Sequence, residues 1–252
     1  MKITRHDFLV GLGGLAAGLP AGAVAHRYGR RRFAPSPPST GQMSYAQCGE
    51  DLIASFIVQY LKLPKVTYLD VGAHDPVAIN NTYYFYTDGS RGVLVEPNVE
   101  MCKKLRAVRP GDTTLEAGIG ITAMREADYY LMTESAWNTF SKEEAEHMTR
   151  ATGGTIKIEK VIKMPLLDIN DVMSQHFGKA PTFLSIDAEG LHLAILKTID
   201  YQRFRPPIIC VETLVSGSRE TIPEIPIFMT SQGYVERGGS FVNTIFVDSN
   251  LI

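Results

Sequence analysis

Apolar residues run along this chain in two rhythms. Four short, nearly unbroken apolar runs, at 66–71, 92–96, 183–187 and 207–212, carry a carboxylate at or beside their ends: Asp70, Glu96, Asp187 and Glu212. Runs of that length and continuity predict strands buried on both faces, as in a parallel sheet, and 113–117 adds a further strand. Between them apolar positions return at helical spacing over 52–61, 80–86, 99–108, 168–177, 190–199 and 222–232. Pro64 stops the first of these helices, and Lys103, Lys104 and Arg106 mark the outer face of the third. Residues 127–133 and 155–164 alternate instead, which predicts half-exposed strands of an inserted hairpin. Its connection, Ser135-Ala136-Trp137-Asn138-Thr139-Phe140, holds the chain's single tryptophan and reads as a cap. A closing antiparallel pair is expected at 234–237 and 242–248. The fold class is therefore α/β, a doubly wound, mostly parallel sheet with a small inserted β-hairpin.

In such a sheet ligands sit beyond the carboxyl ends of the strands, where strand order reverses. The first run continues as Asp70-Val71-Gly72-Ala73-His74-Asp75-Pro76 and the second as Glu96-Pro97-Asn98. One crossover between them turns both acidic ends toward one crevice. Gly72 lets a ligand approach the backbone, and Glu96 can accept both hydroxyls of a ribose. A dinucleotide would need a second and third glycine to seat its pyrophosphate, and Asp70 and Asp75 would repel that anion. A ligand bearing an ammonium and a sulfonium meets no such repulsion. S-adenosylmethionine is the expected cofactor, held by Asp70, Gly72, Asp75, Glu96, Pro97 and Asp187.

Asp187-Ala188-Glu189-Gly190 places two more carboxylates at a strand tip, and Glu212 ends the next strand. Asp187 can take the proton of an attacking hydroxyl, with Glu189 and His74 as further catalytic candidates and His192 as another nearby base. Asp187, Glu189 and Glu212 could instead hold a divalent ion such as Mg2+ that acidifies a diol. The alternative for these acids is structural: Glu189 as a helix cap, Asp187 bound to backbone amides. Trp137 with Tyr83, Tyr84 and Tyr86 could form a stacking platform for a sugar. His147 and His176 fall on helices without partners.

Composition narrows the partners. With 252 residues and 44% hydrophobic content the chain can bury one sizeable core. Its net charge of −2 hides an asymmetry: Lys2, Arg5, Arg27, Arg30, Arg31 and Arg32 face only Asp7 before residue 43. That leaves 19 of the 25 basic and 26 of the 27 acidic residues to the rest, an acidic globular part that argues against nucleic acid. Cys48, Cys102 and Cys210 are too few and too scattered for a disulfide framework or a zinc site.

Residues 1–42 read as a signal-like or anchoring segment and a Pro/Ser-rich linker, with the catalytic domain at 43–252. Residues 8–25 are apolar but glycine-rich, suited to weak membrane association, and the four arginines at 27–32 favour retention on the cytoplasmic side. The domain is expected in the cytoplasm or at the cytoplasmic face of the inner membrane. Export through the twin-arginine-like start at Thr4-Arg5-His6-Asp7-Phe8-Leu9 is the alternative, as is a start at Met43.

From about Ser44 to its end the chain resembles the FkbM-type methyltransferases. The resemblance rests on Ser44 through Leu52, Asp70 through Pro76, Asn81-Thr82-Tyr83, Val95 through Asn98, Arg109 through Asp112 and Phe183 through Gly190. It implies a class I, Rossmann-like methyltransferase fold that binds S-adenosylmethionine at Asp70, Gly72, Ala73 and Glu96. The turn Asp187 to Gly190 would lie at the reaction centre, and the acceptor would be a hydroxyl of a sugar, glycan or glycolipid. A non-catalytic binding or scaffold domain on the same fold is the competing expectation.

Overall fold

The computed structural model describes residues 41–215 and 218–252. Residues 1–40, where the anchor and most of the linker are expected, lie outside them. No helix among the described residues is long and apolar enough to cross a membrane.

Strands β1 (Thr67–Val71), β2 (Arg91–Val95), β3 (Thr113–Leu115), β7 (Phe183–Ile186), β8 (Ile208–Glu212), β9 (Tyr234–Gly239) and β10 (Asn243–Asp248) form a seven-stranded sheet. Its order is β3-β2-β1-β7-β8-β10-β9. The first five run parallel, while β10 lies antiparallel between β8 and β9. The expected closing pair is present, with the last strand inserted inside the sheet rather than at its edge. Strand order reverses between β1 and β7, which opens a crevice above their carboxyl ends.

Alternation along each strand divides the core in two. Leu69, Val71, Val93, Val95, Leu184, Ile186, Ile209 and Val211 face one layer, closed by α5 (Ile169–Phe177), α6 (His192–Thr198) and α7 (Glu224–Ser231). Tyr68, Leu94, Phe183, Ile208 and Cys210 face the other, closed by α1 (Glu50–Tyr60), α2 (Tyr83–Thr87) and Leu105 of α3 (Val99–Val108). Side-chain caps set the helix starts: Asn98 accepts from the amides of Glu100 and Met101, and Asp168 from those of Asn170 and Asp171.

The insertion is a small sheet of β4 (Gly118–Ile119), β6 (Ile158–Leu167) and β5 (Glu126–Met132), in the order β4-β6-β5. Its two long strands pair antiparallel as expected, each a few residues from its predicted bounds. The connection is more than a cap: a 3-10 turn at Ser135–Trp137 leads into α4 (Lys142–Ala151).

Candidate functional site

A cavity of about 470 Å³ opens above the carboxyl ends of β1, β2, β7 and β8. That volume is in the range of small-molecule sites. Its floor is made by Val71, Gly72, Val95, Glu96, Pro97, Asp187 and Glu212, one wall by His74, Asp75, Ala78 and Ile79, and its roof by the whole connection Ser135 to Phe140. Gln47 closes the rim.

Gly72 has φ +82, and a Cβ there would come within 1.7 Å of the Asp187 carbonyl oxygen. Glycine is required so that the β1 loop can press against the end of β7, a tighter reason than the ligand access expected of it. The loop is pinned from both sides: Gly72 and Ala73 donate to the Val95 carbonyl, and Asp187 donates its amide to the Val71 carbonyl.

Glu96 is buried at the tip of β2. Its two oxygens accept the amides of His74 at 2.8 Å and Asn98 at 2.7 Å. Burial pushes its pKa up to about 7 against the pull of those two bonds. A carboxylate offers about four lone-pair positions, so two remain for ligand hydroxyls.

Asp70 and Ala73 do not line the cavity, contrary to expectation. Strand alternation turns Asp70 to the face opposite Val71, where it is buried and accepts from the Thr82 hydroxyl at 2.6 Å. Burial raises its pKa, partly offset by Thr82 and by the Arg109 charge. Ala73 packs into the α1–α2 layer, and its carbonyl accepts from Asn80. Both shape the loop from beneath. Asp75 does line the cavity, but its Oδ1 already accepts the amides of Val77 and Ala78.

His74, with φ +42, turns its ring toward the roof, where Nε2 lies 3.1 Å from the Ser135 hydroxyl. Burial pushes its pKa down, which keeps the ring neutral. Ile79 is also left-handed, at φ +54, and stays 69% exposed at the cavity mouth. A β-branched residue in that region is strained.

The stacking platform is composed differently from the expectation. Tyr83 and Tyr86 stack on each other and face the buried Arg109 guanidinium, and Tyr84 packs in the layer closed by α1 and α2. The cavity's aromatic residues are Tyr129, Trp137 and Phe140, all from the insertion.

The second acidic tip holds the least expected geometry. His192, 1% exposed, places Nε2 3.1 Å from Glu212 Oε2 and 3.7 Å from Asp187 Oδ1. Burial works against a charge on His192, yet Asp187 and Glu212 hold its pKa up to about 10. So held, it is a poor base near neutral pH, which corrects that candidacy. Burial raises Glu212 in turn. Glu189 lines the cavity with φ +30, and its carbonyl accepts from the Thr139 hydroxyl. The N-cap position of α6 is Leu191, not Glu189. Among the described residues the one cluster spaced to hold a metal ion is Asp187, His192 and Glu212, with His192 in the place expected for Glu189.

Sequence reasoning singled out the roof segment by its tryptophan but assigned no role to Asn138, Thr139 or Phe140. Gln47 carried no signal beyond its place in the Ser44–Leu52 motif. The donors present suit a cationic adenosine ligand: a ribose-accepting carboxylate at Glu96, an acidic crevice, and no glycine-lined anion seat beside Asp75.

The family model described as the methyltransferase FkbM domain matches residues 70–236. No curated protein matches at a significant level. Similar solved structures include a TehB-like SAM-dependent methyltransferase from Corynebacterium glutamicum, 9% identical, TM-score 0.44, over 90% of this chain and 99% of that one. Another is the 1,6-didemethyltoxoflavin-N1-methyltransferase of Burkholderia thailandensis with its ligand and S-adenosylhomocysteine bound, 12% identical, TM-score 0.40, over 93% of each chain. A third is the magnesium protoporphyrin IX methyltransferase of Synechocystis with bound SAM, 10% identical, TM-score 0.40, over 92% of this chain and 98% of that one.

Proposed function

Because the chain belongs to the FkbM methyltransferase family, an S-adenosylmethionine-dependent group, we propose that it O-methylates a hydroxyl of a sugar, glycan or glycolipid. The observation that carries this reading is the pairing of an acidic floor with an aromatic roof. Asp187 and Glu212 can accept from several hydroxyls, and Trp137 and Phe140 offer apolar faces to a sugar ring.

When bound, S-adenosylmethionine supplies a methyl group on a sulfonium sulfur. Glu96 accepts the ribose hydroxyls with the lone pairs its backbone bonds leave free. Gly72 and the amides around it keep the β1 loop close to β7, so that cofactor and acceptor share one crevice. Asp187 would take the acceptor's hydroxyl proton as that oxygen accepts the methyl group the cofactor would supply. The roof segment excludes water and aligns the acceptor oxygen. His74, neutral and tied to Ser135, positions that roof. Residues 1–42 fit a weak tether to the cytoplasmic face of the inner membrane, where a glycolipid acceptor would be within reach.

The test uses S-adenosylmethionine carrying an isotopic methyl label and a panel of reducing sugars, oligosaccharides and glycolipids. The proposal expects label in a product that survives mild alkali, as a methyl ether does and a methyl ester does not. Label found only on nitrogen or carboxylate acceptors would overturn it.

A further inference from the structure

Among the described residues, six buried side-chain polar atoms have no hydrogen-bond partner: Thr114 Oγ1, Glu144 Oε1, Asp187 Oδ1, Glu212 Oε2 and both ring nitrogens of His192. Four of them belong to three residues at the tips of β7 and β8 and the start of α6. A fifth, on Glu144, belongs to a carboxylate whose charge acts on Glu212. Three of the six meet only one another, as the ion pairs of His192 Nε2 with Glu212 Oε2 and Asp187 Oδ1, and such a buried concentration of ligand-type atoms leaves room for a further partner.

The spacing indicates what kind. One donor atom each from Asp187, His192 and Glu212 lies within 4.8 Å of the other two, with His192 Nε2 at 3.1 Å from Glu212 Oε2 and 3.7 Å from Asp187 Oδ1. Ligands about 2.1 Å from one ion stand roughly 3.0 Å apart when adjacent and 4.2 Å when opposite, from the bond lengths usual for such metals. The 3.1 Å approach of His192 to Glu212 is an ion pair that holds a proton on the ring, and an ion bound by all three side chains would take that proton's place.

We propose that Asp187 Oδ1, His192 Nε2 and Glu212 Oε2 bind a divalent transition-metal ion, of which Mn2+ is the best match. One imidazole with two carboxylates suits Mn2+, Fe2+ or Zn2+ better than Mg2+, which prefers an all-oxygen shell. Three protein ligands leave positions open toward the cavity, where Asp187 and Glu212 both face. Resting on the O-methyltransferase reading, the site narrows the acceptor to one with two adjacent oxygens, such as a vicinal diol. Both oxygens would bind the ion, and the hydroxyl to be methylated would be acidified by it before its proton passes to solvent or to the second oxygen of Asp187.

The test is a titration of the metal-stripped full chain with Mn2+ at pH 8, following loss of the free-ion electron paramagnetic resonance signal. S-adenosylmethionine binding is measured by calorimetry on the same samples. One Mn2+ per chain is expected, weakened at least about tenfold in Glu212→Gln and in His192→Gln. Asp187→Asn, at a half-exposed position that threatens folding least, should weaken it likewise. An unquenched signal beside normal S-adenosylmethionine binding would overturn the metal site and leave the methyltransferase reading intact, with His192 serving as a buried cation between the two acids. Mn2+ binding undiminished in all three variants would also overturn it. Mn2+ binding without S-adenosylmethionine binding would support the site and count against the function on which the acceptor argument rests.

Discussion

At the tip of β2, Glu96 is a carboxylate that burial has moved into the physiological range, to about 7. Only its ionised form can accept both ribose hydroxyls, so affinity for S-adenosylmethionine should rise as pH climbs through about 7 and level off above it. The same shift acts on stability with the opposite sense. Because the folded pKa lies above the ordinary 4.5, Glu96's contribution is fully present below that value and is lost as pH rises through about 7. Calorimetry between pH 6 and 8.5 checks the binding limb, and a pH-independent dissociation constant would remove Glu96 from the ribose site. Asp187 is read differently, through turnover. Asp187→Asn should lower kcat about 100-fold while leaving cofactor affinity nearly unchanged. Wild-type turnover in that variant would reduce Asp187 to a structural residue. The acids around the crevice were legible as strand-end carboxylates in apolar runs. His192 was not legible as their partner, because its seat between Asp187 and Glu212 exists only once β7, β8 and α6 are side by side.

Among the elements, the parallel strands could be read to within a residue or two, since β1, β2, β7 and β8 are buried on both faces and admit almost nothing polar. Strand β4 could not, because two residues, Gly118 and Ile119, carry no period. Helix α4 was hard to bound for a related reason: of its ten residues only Ala145 and Met148 are buried, so its inner face is barely written in apolar side chains. Its start is nevertheless fixed, by the Ser141 hydroxyl accepting the Glu144 amide. The roof before it is where acceptor specificity should reside. Trp137 rests partly on the small core of Met132, Ala145 and Met148 while lining the cavity. Trp137→Ala should therefore raise the acceptor KM by about 3- to 10-fold, the scale of one aromatic stacking contact, with little change in the dissociation constant for S-adenosylmethionine. A larger loss in cofactor affinity than in acceptor KM would place Trp137 over the cofactor instead.

Across the whole molecule, the side of the sheet closed by α1 and α2 is organised around one buried cation. Arg109 is fully buried, pairs with Asp112 at 2.8 Å, and donates to Asn80 Oδ1 and Thr82 Oγ1 at 3.0 Å each. Asp112 in turn accepts from the Tyr68 hydroxyl and the Gly92 amide, while Asn80 and Thr82 hold Ala73 and Asp70. The Arg109–Asp112 and Asn81–Tyr83 motifs are thus scaffolding for the loop after β1, a role that spacing in sequence could not show because the partners come from β1, β2 and two loops. Arg109→Met would leave Asp112 buried without its cation and should cost about 3–5 kcal/mol, read as a lower urea midpoint. An unchanged midpoint would mean that the pair adds nothing to the fold. The claim on which everything else depends is that the crevice over β1 and β2 takes S-adenosylmethionine and not a dinucleotide. Calorimetric titration of the full chain at pH 8 with S-adenosylmethionine, with NAD alongside, tests it most directly. One binding site for S-adenosylmethionine, no heat with NAD, and affinity reduced in Glu96→Ala by about 1.5–3 kcal/mol for each hydroxyl bond lost are the predicted results. Absence of S-adenosylmethionine binding, or NAD binding of equal strength, would contradict the account.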